Sequence, residues 1–265
     1  MSDAGPWRVV GVSLRGSSHL KSDQPCQDVH AFERLPGGTL LAAVSDGAGT
    51  AALAEIGAAV AVKSAMEVLR ERLGKDSLAE TSEDAWRPLL HEAMRAALEA
   101  VEREAAVRGV PARDLACTLS LAVARPAMAA GAQIGDGAVV FADGEGRILP
   151  LLRPVAGEYL NETTFLVSSG ALDQIQFAWR GGEISRLALL TDGLQMLALK
   201  AVDGEPHAPF FAPLFAFAAA AEDEAKGRAS LASFLGSDRV QARADDDLTL
   251  LLAAVVPDRS PCRSP

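Results

Sequence analysis

The feature that most constrains this chain is how its apolar residues are grouped. Short apolar blocks of strand length lie in two groups, with one long stretch of helical period between them. Residues 7–14, 29–34 and 39–45 read as strands, the last two joined across Pro36-Gly37-Gly38, a turn of the hairpin kind. From residue 51 the spacing becomes helical. Val62, Met66, Leu69 and Leu73 make one stripe, and Trp86, Leu90, Met94, Ala97 and Val101 make another within a helix over 82–108. Strand character returns at 116–124, 129–134, 138–142, 147–152, 163–168, 175–179 and 184–191. Helices are expected over 194–200, 209–222 and 224–235, and a last strand over 248–256. Strand groups flanking helices predict an α+β fold of two packed sheets with helices outside, in place of alternating βαβ units. Residues 1–256 read as a single domain with no internal repeat. The Pro/Ser/Arg-rich tail 257–265 reads as disordered.

Charge and cysteine usage narrow the function classes. A net charge of −10 over 265 residues leaves no basic stripe for nucleic acid. No apolar run is long enough for a bilayer, and the N-terminus lacks a signal-peptide pattern, so a cytoplasmic protein without a membrane partner is expected. Cys26, Cys117 and Cys262 form no CxxC pair, and the four histidines share no metal-ligand spacing. Any metal here needs oxygen ligands.

Asp-Gly occurs five times. At Asp143 and Asp203 it reads as a plain turn. Asp46 and Asp192 instead close apolar runs, and Asp136 follows Ala132-Gln133-Ile134-Gly135. Asp28 precedes a strand, and so does Asp246 within Asp245-Asp246-Asp247. Carboxylates gathered at strand ends resist ionising together. Hard divalent cations relieve that, and an all-oxygen donor set favours Mg²⁺ or Mn²⁺ over zinc.

The ordered series Gln27-Asp28, Val44-Ser45-Asp46-Gly47-Ala48-Gly49, Gln133-Ile134-Gly135-Asp136-Gly137-Ala138, Leu190-Thr191-Asp192-Gly193 and Asp246-Asp247-Leu248-Thr249 resembles the motifs of the protein phosphatase 2C family. Gly16-Ser17-Ser18-His19 and the segment around Tyr159 are similar to a bacterial subgroup, the latter reading either as a polar loop that introduces a strand or as a flap beside the site. The resemblance implies two central antiparallel sheets between helices and hydrolysis of phosphoserine or phosphothreonine on a protein substrate, opposed by a cognate kinase. It implies two Mn²⁺ or Mg²⁺ ions bridged by Asp46 with the Gly47 carbonyl, the second held by Asp192 and Asp246. Asp28 would orient water, and Asp136 would support a looser third ion. The implied chemistry is attack on phosphorus by water activated between cations.

Two positions depart from the family pattern. Ala48 stands where many eukaryotic relatives carry a histidine, and Asp23 where a phosphate-binding arginine is usual. His19, Arg15 and Lys21 lie in the same loop as replacements, with His19 favoured. A non-catalytic phosphoprotein-binding module and a hydrolase of small phosphate esters are the alternatives.

Overall fold

The computed structural model describes residues 5–75, 82–154 and 163–256. In chain order the elements are β1 (Trp7–Leu14), α1 (Ser17–Ser22), β2 (Val29–Leu35), β3 (Thr39–Ser45), α2 (Ala54–Lys75), α3 (Glu83–Arg108), β4 (Leu119–Arg125), β5 (Met128–Ile134), β6 (Ala138–Asp143) and β7 (Ile148–Leu152). They continue with β8 (Gln176–Gly181), β9 (Ile184–Leu190), α4 (Gln195–Ala198), α5 (Ala208–Ala220), α6 (Glu224–Leu235), α7 (Asp238–Gln241) and β10 (Leu248–Val255). The strands form two five-stranded sheets, ordered β1-β10-β9-β6-β7 and β2-β3-β4-β5-β8. All pairings are antiparallel.

Burial on both faces explains why the central strands are apolar throughout. In β3, Leu41 and Ala43 join the core beneath α2 and α3, while Leu40, Ala42 and Val44 point between the sheets. In β10, Leu250, Leu252 and Ala254 face α5 and α6, and Leu251 and Ala253 face the other sheet. The period-2 alternation of a strand therefore sorts residues between two cores instead of between core and water. Both helical stripes expected from the sequence are buried against the second sheet. The result is the four-layer α-β-β-α arrangement.

Three local expectations are corrected. Residues 163–168 form a turn, not a strand. Leu166 is a fully buried plug whose N–H donates to the Cys117 carbonyl (2.8 Å), and Phe165 and Ser168 close a local turn on each other. The loop 15–27 contains the short helix α1, and a short helix, α7, precedes β10. Strand β4 begins at Leu119 because Cys117 pairs with Gly47 in an isolated bridge. Tyr159 and the tail 257–265 lie outside the described residues.

Candidate active site

Strand register brings the aspartates to one end of both sheets. Val29 opposes Ser45, so Asp28 and Asp46 leave the β2–β3 pair side by side. Ala138 opposes Leu190, which sets Asp136 beside Asp192. Leu250 also opposes Leu190, so the aspartates that introduce β10 arrive at the same place. One carboxylate oxygen from each of Asp46, Asp136 and Asp192 lies within 4.8 Å of the others.

Neighbouring hydroxyls fix these side chains. Thr118 clamps the Asp46 backbone: its Oγ1 accepts the Asp46 N–H (3.0 Å), and its own N–H donates to the Asp46 carbonyl (2.8 Å). Thr191 donates its hydroxyl to Asp28 Oδ2 (2.7 Å) and accepts the Thr249 N–H (3.2 Å). Asp28 Oδ1 is buried with no hydrogen-bond partner among the described residues. Thr163 donates to Asp136 Oδ2 (2.7 Å), and Gln195 Nε2 donates to the Asp136 carbonyl (2.7 Å).

The electrostatics oppose ionisation of Asp28, Asp46 and Asp192. Burial pushes the Asp28 carboxyl up to about 7 despite the stabilising hydrogen bond from Thr191. Burial, then the charges of Asp136 and Asp246, raises Asp192 to about 6. Asp46 is driven well above its ordinary value by burial and then by Asp28, Asp192, Asp246 and Asp136. An orphaned buried oxygen and acids that mutually resist charge fit a site built for hard divalent cations.

The segment entering β10 divides its labour between adjacent aspartates. Asp247 is almost fully buried and spends both oxygens on backbone: Oδ1 accepts the Gly16 N–H and Oδ2 the Gln27 N–H, each at 2.6 Å. Asp246 is exposed, and its charge acts on both Asp46 and Asp192. Asp245 is also exposed, and its carbonyl takes the Ser18 N–H (2.8 Å). This close threading requires glycine on both sides. A Cβ on Gly16 would sit 2.2 Å from the Asp246 carbonyl carbon, and one on Gly193 would sit 2.1 Å from the Asp247 oxygen.

His19 is buried in α1, with Nδ1 3.0 Å from Asp247 Oδ1 at an angle unsuited to a hydrogen bond. It also shares a group of mutually close donors with Asp246 and Asp247. Arg15 is engaged elsewhere, donating to the His19 carbonyl (2.9 Å) and to Asp23 (3.3 Å), and Lys21 is exposed. Asp143 accepts the N–H groups of Glu145 and Arg147 and the Arg147 guanidinium, while Asp203 accepts the Glu205 N–H. Both are turn residues. Burial pushes the Cys26 and Cys117 thiols up to about 12, which suits packing and not nucleophilic attack. Sequence reasoning missed Thr118, Thr163, Thr191, Gln195, Thr249 and the anchoring role of Asp247. A polar β-branched residue at the mouth of an apolar strand, as in Leu190-Thr191-Asp192, is the signal that was available.

A double sheet between helix layers, with carboxylates collected at one end, defines a metal-dependent hydrolase. The protein phosphatase 2C family model matches residues 15–236, and the chain belongs to that family. It is 38% identical over 255 residues to serine/threonine-protein phosphatase 3 of Escherichia coli K12, covering 93% of this chain and 98% of the relative. The fold is shared with PppA of Pseudomonas aeruginosa (TM-score 0.60, 20% identity, 95% and 98% coverage). It is also shared with phosphatase Stp1 of Staphylococcus aureus (TM-score 0.59, 13% identity, 93% and 94% coverage). The chain is a metal-dependent serine/threonine phosphatase acting on phosphoproteins, and the non-catalytic alternative is not favoured. No helix among the described residues is long and apolar enough to cross a membrane.

Proposed function

We propose that Asp46, the Gly47 carbonyl, Asp192 and Asp246 would hold two Mn²⁺ or Mg²⁺ ions, and that Asp136 with Asp192 would support a third. The observation carrying this is the approach of Asp46, Asp136 and Asp192 to within 4.8 Å, where burial opposes the charge of Asp46 and Asp192. Asp246 accepts only the Asp247 N–H on Oδ1 (2.8 Å) and keeps Oδ2 open, so it is the available ligand of the pair, whereas both oxygens of Asp247 are occupied. When bound, the cations acidify water and offset charge on the phosphoryl oxygens. Asp28, held by Thr191 through Oδ2, keeps Oδ1 to accept a hydrogen from the attacking water and aim it in line. His19, with Nδ1 against Asp247, offers Nε2 to a phosphoryl oxygen, while Arg15 is tied to Asp23. Phosphoserine and phosphothreonine must be made by a kinase of that specificity. We place a cognate Ser/Thr kinase opposite this enzyme, both in the cytoplasm where ATP supplies the kinase.

Calorimetric titration with Mn²⁺ and with Mg²⁺, alongside turnover of a phosphoserine peptide, tests the assignment. Saturable binding lost in Asp46→Asn, with turnover stopped by EDTA, is the expected result. Turnover at full rate in chelated buffer overturns it. His19→Gln should lower kcat/KM by roughly ten- to a hundredfold, the worth of one charge-assisted hydrogen bond, while Mn²⁺ affinity stays unchanged. Equal losses in both quantities would place His19 with the metal ligands.

A further inference from the structure

Away from the aspartate cluster, α4, α5, α6 and α7 line a half-open cavity of about 680 Å³. Its walls include Leu197, Phe210, Leu214, Phe217, Phe234 and Val240. The helix α5 at its centre carries no charged residue, and Met196 at the rim is 79% exposed. Concave apolar surfaces of this size are typical of small-molecule sites.

The charge around the cavity selects the ligand. The chain has 35 acidic and 25 basic residues, yet no Asp or Glu lines the cavity. Two arginines do, Arg239 in α7 and Arg243 in the turn just beyond it. Neither makes a side-chain ion pair or hydrogen bond among the described residues, whereas Arg72, Arg87, Arg95 and Arg108 each hold a glutamate. Two free guanidinium groups beside an apolar chamber match an ionised head on an apolar body. Their planar forks suit a carboxylate.

We propose that this cavity binds an amphipathic carboxylate of the medium-chain fatty-acid class, its chain against the phenylalanines and its head at Arg239 and Arg243. The position of the cavity gives the ligand a route to the catalytic end. Met196, Leu197 and Leu199 in its wall follow closely on Asp192, and Arg243 precedes Asp246 by three residues. A ligand seated between α4 and α7 restrains the two segments that deliver these aspartates, so it tightens divalent-cation binding. By linkage the cation tightens ligand binding by the same factor. This coupling rests on the metal assignment above. The binding itself does not.

Titration calorimetry of decanoate into the full chain in EDTA separates the two. Saturable one-to-one binding is expected, weakened about tenfold in Arg239→Gln/Arg243→Gln, since exposed pairs are individually modest. Ser230→Trp, at an exposed lining position, should block the cavity and abolish binding without changing the melting temperature. Absence of saturable binding, or equal binding in all variants, overturns the site. Decyltrimethylammonium binding as tightly as decanoate also overturns it, marking an unselective apolar surface suited to a protein segment. Repeating the titration with Mn²⁺ should raise decanoate affinity several-fold. An unchanged affinity while Mn²⁺ itself binds removes the coupling, and no Mn²⁺ binding at all removes the metal assignment instead.

Discussion

Asp247→Ala tests whether a buried carboxylate fastens the active-site loop to the sheet. The side chain is 2% exposed and accepts the Gly16 and Gln27 N–H groups at 2.6 Å each, residues more than two hundred positions away in the chain. A hydrogen bond to a charged group contributes about 1.5–3 kcal/mol, and alanine leaves both N–H groups buried without an acceptor. Two such losses sum to about 3–6 kcal/mol, with the lower half more realistic because both bonds hold one loop. Against a usual total of about 5–15 kcal/mol, that is a large fraction of the stability. Urea unfolding in EDTA should show a lower midpoint at unchanged slope. Asp245→Ala is the control, because its exposed carboxylate makes no comparable bond and only its backbone carbonyl holds Ser18. It should stay within about 0.5 kcal/mol of wild type. A cost below about 1 kcal/mol for Asp247→Ala, or equal costs for both variants, would refute the anchoring role.

Metal-free protein should lose stability as pH rises from about 4 towards 7. Over that window folded Asp28 and Asp192, at about 7 and 6, retain protons that the unfolded chain, near 3.8, has released. Below the window both states are protonated and the penalty vanishes. Saturating Mn²⁺ should flatten the slope, and Asp28→Asn should reduce it in EDTA; urea midpoints that fall as steeply in Asp28→Asn as in wild type would contradict this. Asp46→Asn and Asp192→Asn should each abolish phosphopeptide turnover while far-ultraviolet circular dichroism stays native, since neither side chain packs in an apolar core. Asp143→Asn should turn over like wild type, because its carboxylate serves its own turn. Equal impairment of all three would undo the sorting of the Asp-Gly pairs.

Most of the architecture was legible because these strands are apolar on both faces. Such runs advertise themselves whatever their partners, so β1 and β3 were placed to the residue. The strand expected at 163–168 failed because short apolar runs are ambiguous. Thr164-Phe165-Leu166-Val167 has strand composition, but only Leu166 is fully buried there, and its N–H is claimed by Cys117 before any ladder forms. The order of strands within each sheet was not legible at all. Pairing β10 between β1 and β9 depends on contacts across the whole chain, and nothing local in Leu248–Val255 names its neighbours.

The aspartates were legible for a different reason. Asp46, Asp136 and Asp192 each stand where an apolar run stops, and a carboxylate at a buried strand end needs a cation or a donor to offset its charge. The same local logic cannot separate Asp246 from Asp247, since alternation in a strand begins only at Leu248. What separates them is the distant backbone of Gly16 and Gln27, which supplies two N–H groups to Asp247 and leaves the exposed Asp246 beside Asp46 and Asp192. An acid with both oxygens anchored, beside one that keeps an oxygen open, lets the chain hold its loop with one charge while presenting the next. Reversing them by Asp246→Asn should therefore reduce cation affinity with little change in urea midpoint, the opposite pattern to Asp247→Ala. A shared loss of stability in both variants would mean that the two carboxylates act together as one anchor.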